Sequence, residues 1–159
     1  PLLAERFARV RMHALARVQG RDQATVPIVL FVCVQNTGRS QIAMGWFRHY
    51  ADTRAIAWSA GSHPGAELNP AAVEAMAEVG VDISAAFPKP WTEELVAAAN
   101  IVVTMGCGDE CPIYPDTRYE SWPVDDPAGM DVTHIRPIRD DIERRVLALL
   151  DEMGIDTSV

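Results

Sequence analysis

Long apolar runs are missing from this 159-residue chain. No stretch approaches the roughly 18 consecutive apolar residues that a membrane span requires, so no transmembrane helix and no membrane partner are expected. A charged-then-apolar leader with a cleavage site is also missing, so nothing marks the chain for secretion, and a cytoplasmic location is expected. Cysteine is scarce and odd in number, with Cys33, Cys107 and Cys111. An odd count without a secretion signal argues against a disulfide scaffold, and such thiols are core residues, metal ligands or catalysts. Basic charge is in short supply too: 14 Lys and Arg stand against 22 Asp and Glu, a formal net charge of −8. That excludes bulk electrostatic binding of nucleic acid. Internal repeats and low-complexity segments are missing as well.

What is present suffices for one domain with a true core. The chain is 48% hydrophobic, and domains of this length bury roughly two thirds of their unfolded surface. The charge is uneven. Residues 1–26 carry five arginines (6, 9, 11, 17 and 21) against Glu5 and Asp22, a net of +3, which leaves −11 on the rest. A protein so acidic needs a local positive site to hold an anion, so an arginine beside a glycine-rich loop carries weight.

Hydrophobic periodicity organises the chain. Leu3, Phe7, Val10, Ala14 and Val18 recur at helical spacing over residues 2–18, with Gly20 to end the helix. Residues 20–27 read as a linker. From Pro27 strand and helix patterns alternate: a buried-strand run over Ile28–Val32, a helix over Arg39–Tyr50 and a second strand over Arg54–Ser59. A helix over 69–79 follows, with Asn69 as N-cap, Pro70 at the first helical position and Gly80 past the end. Thr92 caps a short helix to Ala99. Asn100–Met105 reads as a third strand and Arg118–Val124 as a fourth. A long helix over Thr133–Met153 closes the pattern, its regular part beginning near Arg136 because of Pro137. This order predicts an α/β fold with a parallel sheet buried on both faces beneath helices. Ligands of such sheets bind beyond the C-terminal strand ends, where Cys33 and the Gly106-Cys107 pair both fall.

The stretch Cys33-Val34-Gln35-Asn36-Thr37-Gly38-Arg39-Ser40 carries the chemistry. Asn36 and Gly38 are the residue types that best tolerate a left-handed backbone. A loop of alternating handedness turns successive N–H groups inward as an anion nest, and the helix that follows adds its N-terminal partial charge. Arg39 adds a fork for two oxygens of a tetrahedral oxyanion. Residues 34–40 are therefore the candidate oxyanion binders. The same positive surroundings lower the pKa of a thiol at the loop base, and Ser40 can donate to the thiolate. A buried cysteine followed by an ordinary strand-to-helix turn is the bland alternative.

Beyond this loop, Cys107 and Cys111 stand among Gly106, Gly108, Asp109, Glu110 and Pro112, which are loop residues. Zinc needs about four ligands, and His13, His49, His63 and His134 show no matching spacing. A redox pair and two unrelated core thiols are the other readings. Asp125 and Asp126 precede Pro127, a common turn sequence that also places carboxylates after a strand.

Several motifs in order, VLFVCVQNTGRSQ, WSAGSHP, NPAAVEAMAEVGVDIS, VVTMGCGDEC, WPVDDPAG and RPIRDDIERRV, resemble the low-molecular-weight phosphotyrosine phosphatase fold and, within it, the thioredoxin-coupled arsenate reductases. The resemblance spans Ile28 to Met153. It implies a central four-stranded parallel sheet with helices on both faces, a catalytic domain over 27–159 and an N-terminal helical extension and linker over 1–26. It implies catalytic roles for Cys33, Arg39, Cys107, Cys111 and Asp126. Cys33 attacks arsenate held by Arg39 and the loop amides. Cys107 then attacks Cys33 and arsenite leaves. Cys111 moves the disulfide to the 107–111 pair, which thioredoxin reduces. Asp126, directly before the proline, is the implied general acid.

The sequence also departs from its relatives. Tyrosine phosphatases of this fold follow the Asp-Pro with tyrosines, where Ala128 and Gly129 stand here, and often carry a second loop cysteine at the place of Gly38. Both differences disfavour phosphotyrosine, although weak phosphatase activity is expected. Some relatives bind a monovalent cation through the loop asparagine and an acidic residue on the next helix. Asn36 matches, but Met44 occupies the acidic position, which counts against a cation site. No resident metal or cofactor is expected. A phosphatase of low specificity and a non-catalytic metalloid or zinc sensor are the alternatives to arsenate reduction.

Overall fold

A computed structural model describes residues 2–21, 26–107 and 113–158. Helix α1 (Leu2–Val18) leads into β1 (Ile28–Cys33), α2 (Arg39–Ala51), a one-turn 3-10 helix (Asp52–Arg54) and β2 (Ile56–Gly61). Then follow α3 (Pro70–Glu78), α4 (Glu93–Ala98), β3 (Ile101–Met105), β4 (Arg118–Ser121) and α5 (Val132–Glu152). The four strands pair in the order β2-β1-β3-β4, all parallel. β1 is central, with β2 on one side and β3 on the other. The chain therefore leaves β1 toward one edge and later returns on the opposite side. The C-terminal end of β1 is the place where a crevice opens in such sheets.

Strand alternation splits the interior into two layers. Val29, Phe31 and Cys33 join a large core with α2, α3 and α5. Ile28, Leu30 and Val32 face a smaller core formed with α1 and α4. Phe31 and Phe47 meet edge to face at 5.7 Å in the first layer. Each fully buried aromatic or aliphatic side chain there contributes roughly 1.5–3 kcal/mol.

The expected caps are present. The Asn69 side chain accepts from Ala71 N, the Thr92 side chain from Leu95 N and Gly20 has a positive φ of 68°. Three boundaries and one burial pattern differ from the sequence reading. β2 begins at Ile56 rather than Arg54, because Arg54 turns back to bond the Tyr50 and Ala51 carbonyls at the end of α2. β4 stops at Ser121 rather than Val124, since Pro123 has no N–H to continue the ladder. It is also an edge strand with exposed ends, not one buried on both faces. α5 begins at Val132 rather than near Arg136. The Asp131 carboxylate caps it by accepting from His134 N at 3.0 Å. Pro137 removes only the bond to the carbonyl of Thr133, an exposed residue in the first turn.

On α1, Ala14 is fully buried and Phe7 and Val10 pack beside it, while Leu3 and Val18 are half exposed. Arg11 Nε bonds Glu94 at 2.5 Å, and His13 meets Trp58 edge-on at 5.7 Å. The helix is thus held to α4 and β2 through apolar packing and a rim of polar contacts. No described helix is long and apolar enough to cross a membrane.

Candidate active site at the end of β1

The last residue of β1, Cys33, is 2% exposed, and the chain between it and α2 wraps around its sulfur. The carbonyl groups of Cys33, Val34, Gln35 and Thr37 all point outward. They accept from Ser62 N, His63 N, Gly65 N and Asn69 N at 2.8–3.1 Å. A loop whose carbonyls are engaged on its outer side leaves its N–H groups for the concave side. There Asn36 N donates to Cys33 Sγ at 3.3 Å.

Asn36 is the residue that turns the loop. Its φ is +54° and it is fully buried. Its Oδ1 accepts from Lys89 N at 3.1 Å, which fixes the orientation of the amide. Nδ2 therefore faces Ser40 Oγ, donating at 2.6 Å. With that oxygen accepting from Asn36, the Ser40 hydroxyl hydrogen is left for Cys33 Sγ, 3.0 Å away. Two donors thus converge on the sulfur.

Gly38 differs from the expectation. It is not left-handed, with φ −133° and ψ −87°. A side chain is excluded there for another reason: a Cβ would sit 2.7 Å from Pro127 Cγ. The Asp126-Pro127 turn lies directly over the start of α2. Asn69 Nδ2 ties it down by donating to the Pro127 carbonyl at 3.4 Å.

Arg39, the first residue of α2, is 7% exposed. Nη1 donates to the Val124 carbonyl at 3.2 Å, and Nη2 lies 3.7 Å from Asp126 Oδ2. Gly106 backs the guanidinium: a Cβ there would come within 2.8 Å of Nη1, and its φ is +82°. Three strand ends, those of β1, β3 and β4, therefore set one arginine. Asp126 rather than Asp125 is the carboxylate turned toward it. Asp126 is exposed, and its Oδ1 accepts from Ala128 N at 3.0 Å.

Cys107 follows β3 by two residues and is 6% exposed. It packs with the smaller core on the opposite face of the sheet from Cys33. Cys111, Gly108, Asp109, Glu110 and Pro112 lie outside the described residues. Among the described residues no group of three or more His, Cys, Asp and Glu could hold a metal ion.

Sequence reasoning did not single out the polar chain behind the loop. Gln41 Nε2 donates to the carbonyls of Asn36 and Phe87 at 3.0 and 3.1 Å. Its Oε1 accepts from Ser59 Oγ at 3.2 Å. Lys89 Nζ donates to the Phe87 carbonyl at 3.1 Å and reaches Ser59 Oγ at 3.4 Å. Burial, with Arg48 and Arg6 nearby, lowers the Lys89 pKa to about 7. Met44, at the position a cation site would need acidic, is itself buried, and the Lys89 ammonium lies against Ser59 close by. The available signals were a serine interrupting the apolar run of β2 and a lysine clamped between Pro88 and Pro90.

With this geometry in view, the relatives are informative. Residues 28–159 match the family of low molecular weight phosphotyrosine protein phosphatases. A putative arsenate reductase of Halobacterium salinarum is 36% identical over 131 residues, covering 79% of this chain and 92% of that protein. The thioredoxin-dependent arsenate reductase of Corynebacterium glutamicum superposes with a TM-score of 0.88 at 45% identity, over 97% of this chain and 75% of that one. A low molecular weight protein tyrosine phosphatase from T. tengcongensis gives a TM-score of 0.72 at 27% identity, over 79% of this chain and 99% of that one. The chain belongs to the low-molecular-weight phosphotyrosine phosphatase family, with a helix, α1, placed ahead of the family's fold.

Proposed function

We propose that this protein is an arsenate reductase that draws its electrons from thioredoxin. The observation that carries the reading is the pairing of two buried thiols at adjacent strand ends. Cys33 sits within an amide- and arginine-lined loop, and Cys107 stands one residue beyond the glycine that backs Arg39. A phosphatase needs the first thiol alone. Relatives named arsenate reductase, at up to 45% identity, support the same reading.

The steps follow from the groups present. Arsenate enters the loop of residues 34–40, where the N–H groups and the Arg39 fork neutralise its oxygens. Cys33 Sγ, as thiolate, forms a bond to arsenic(V), and one arsenate oxygen leaves as water after Asp126 protonates it. Cys107 thiolate then attacks Cys33 Sγ. A sulfur–sulfur bond forms, the sulfur–arsenic bond breaks, and its electron pair stays on arsenic, which leaves as arsenite(III). Two thiols are oxidised and arsenic gains two electrons. Cys111 thiolate next attacks Cys107, expelling Cys33 as thiolate and moving the disulfide to 107–111. The dithiol of thioredoxin reduces that disulfide and restores all three cysteines.

Cys107 packs on the other face of the sheet, so the second step requires the segment after β3 to leave its packing. Gly106, already at positive φ, is the joint about which it turns. In this reading residues 27–159 form the catalytic domain, residues 1–26 are an extension, and the reducing cytoplasm is where the thiols work.

The test is NADPH consumption in a mixture of protein, thioredoxin, thioredoxin reductase and arsenate, run beside Cys111→Ser. Turnover by the wild type alone is expected. Absent turnover with intact aryl phosphate hydrolysis would leave the second reading, a phosphatase of low specificity, which the Asp126-Pro127 turn over the loop also suits.

A further inference from the structure

Behind the loop, on the side away from its opening, α1 roofs a cavity of about 530 Å³ against α2, β2 and the segment 80–89. The volume lies within the range that small-molecule sites occupy, roughly 300–1,000 Å³. The rim is cationic in a protein whose overall charge is −8. Arg6 and Arg9 come from α1, Arg48 from α2 and Lys89 from the segment before α4. Arg9 is tied to Glu5 by an exposed pair at 2.6 Å, which is worth little and is easily exchanged. Arg6, Arg48 and Lys89 form no salt bridge among the described residues. Arg48 gives Nε and Nη2 to the Ala57 carbonyl, which leaves its other nitrogen. The one carboxylate of the lining, Asp82, is occupied in accepting from Ser84 N at 2.8 Å. His49 also lines the cavity.

The walls are of a different character. Trp58, Ile83 and Phe87 give an apolar surface between the cations. The Phe87 ring contacts two of them, with Arg6 Cζ at 4.9 Å and Lys89 Nζ at 4.4 Å from its centroid. Cations held by a ring, by carbonyls and by a hydroxyl, with no carboxylate partner, retain unmet demand for an anion, and that demand is stronger where water is partly excluded. Repulsion among Arg6, Arg48 and Lys89 is relieved by any negative charge placed between them.

We infer that this cavity is a second ligand site, distinct from the loop at Cys33, that binds a small amphipathic anion: a phosphate, sulfonate or carboxylate group at the arginine rim with an apolar or planar body along Trp58 and Phe87. The N-terminal helix supplies half of the charge, so the site exists only where α1 is docked.

Fluorescence titration with anilinonaphthalene sulfonate tests it, beside N-phenylnaphthylamine, which has the same aromatic body without the charge. The wild type should bind the sulfonate saturably at one site and the neutral analogue more weakly. Arg6→Glu should weaken the sulfonate by about tenfold or more, the scale of a lost charged hydrogen bond plus repulsion. Arg6→Lys should retain most of the affinity, which separates lost charge from a displaced helix, and equal thermal midpoints confirm that both variants are folded. Arg39→Ala should leave the titration unchanged. Equal binding of the neutral analogue, an Arg6→Glu variant indistinguishable from wild type, or loss of binding in Arg39→Ala would each overturn the assignment.

Discussion

The two described thiols sit at neighbouring strand ends and are both nearly inaccessible, yet their surroundings are opposite. Cys33 is held among donors: Asn36 N, Ser40 Oγ and, behind them, a braced loop with four outward carbonyls bonded to the segment 62–69. Cys107 is packed among Val102, Leu95 and other apolar side chains of the smaller core. The first is surrounded by groups that can hold a ligand, and the second is packed into the interior. The two thiols thus lie on opposite faces of the sheet, one among polar donors and one in the smaller core.

The largest expected effect separates the two sites outright. Cys33→Ser should abolish both arsenate-dependent NADPH oxidation and aryl phosphate hydrolysis. Cys107→Ser should abolish the first and leave the second within about twofold, since hydrolysis of a phosphate ester needs no second thiol. Equal loss of both activities in Cys107→Ser would contradict the division of roles. Next in size, Asp126→Asn should slow aryl phosphate hydrolysis by about 10²–10⁴-fold with little change in KM, the ordinary worth of a general acid. A loss confined to KM would instead make Asp126 a binding residue.

A smaller effect probes the boundary between the thiols. Gly106→Ala places a Cβ 2.8 Å from Arg39 Nη1 and strains a residue at φ +82°. Displacing the guanidinium by a fraction of an ångström should reduce kcat/KM for arsenate by about tenfold, and the positive φ should cost about 1 kcal/mol of stability. Both are measurable in one preparation by steady-state kinetics and urea unfolding.

The smallest effect concerns pH. The Lys89 pKa is lowered in the folded protein to about 7, below its unfolded value near 10.5. Between these values the unfolded chain binds the extra proton, so wild-type stability should rise as pH increases from about 7 toward 10. Below about 7 both states are protonated, and the burial cost is fully present. Lys89→Met should flatten this rise and raise the midpoint at neutral pH. Thermal melts across that pH window check the sign. Activity should fall only a few-fold, because Lys89 acts through Ser59, Gln41 and Asn36 rather than on the substrate.

Much of the fold was legible in the chain. The apolar runs at Ile28–Val32 and 100–105, the caps at Asn69 and Thr92 and the glycines at 20 and 80 are local signals, and local sterics enforce them. The loop was legible for the same reason: Asn36 tolerates φ +54°, and a cysteine at a strand end followed by an arginine at a helix start is a pattern within one segment. Boundaries slipped where a distant partner intervened, as with Arg54, whose guanidinium returns to α2, and with Val132, whose helix is started by the cap of Asp131 rather than delayed by Pro137.

The sequence by itself determined the order of strands and helices along the chain, the cysteine at the strand end, the arginine at the helix start and the Asp-Pro turn, because each depends on spacing within a dozen residues or fewer. Only the tertiary structure decided why Gly38 and Gly106 must be glycine, since Pro127 and Arg39 approach them from other strand ends. It alone decided that Cys33 and Cys107 face opposite layers of one sheet, and that α1 closes a cationic cavity over Lys89. Those facts follow from which side of a strand a residue occupies and what packs there. Chain spacing does not encode them; the folding of remote segments onto one another does.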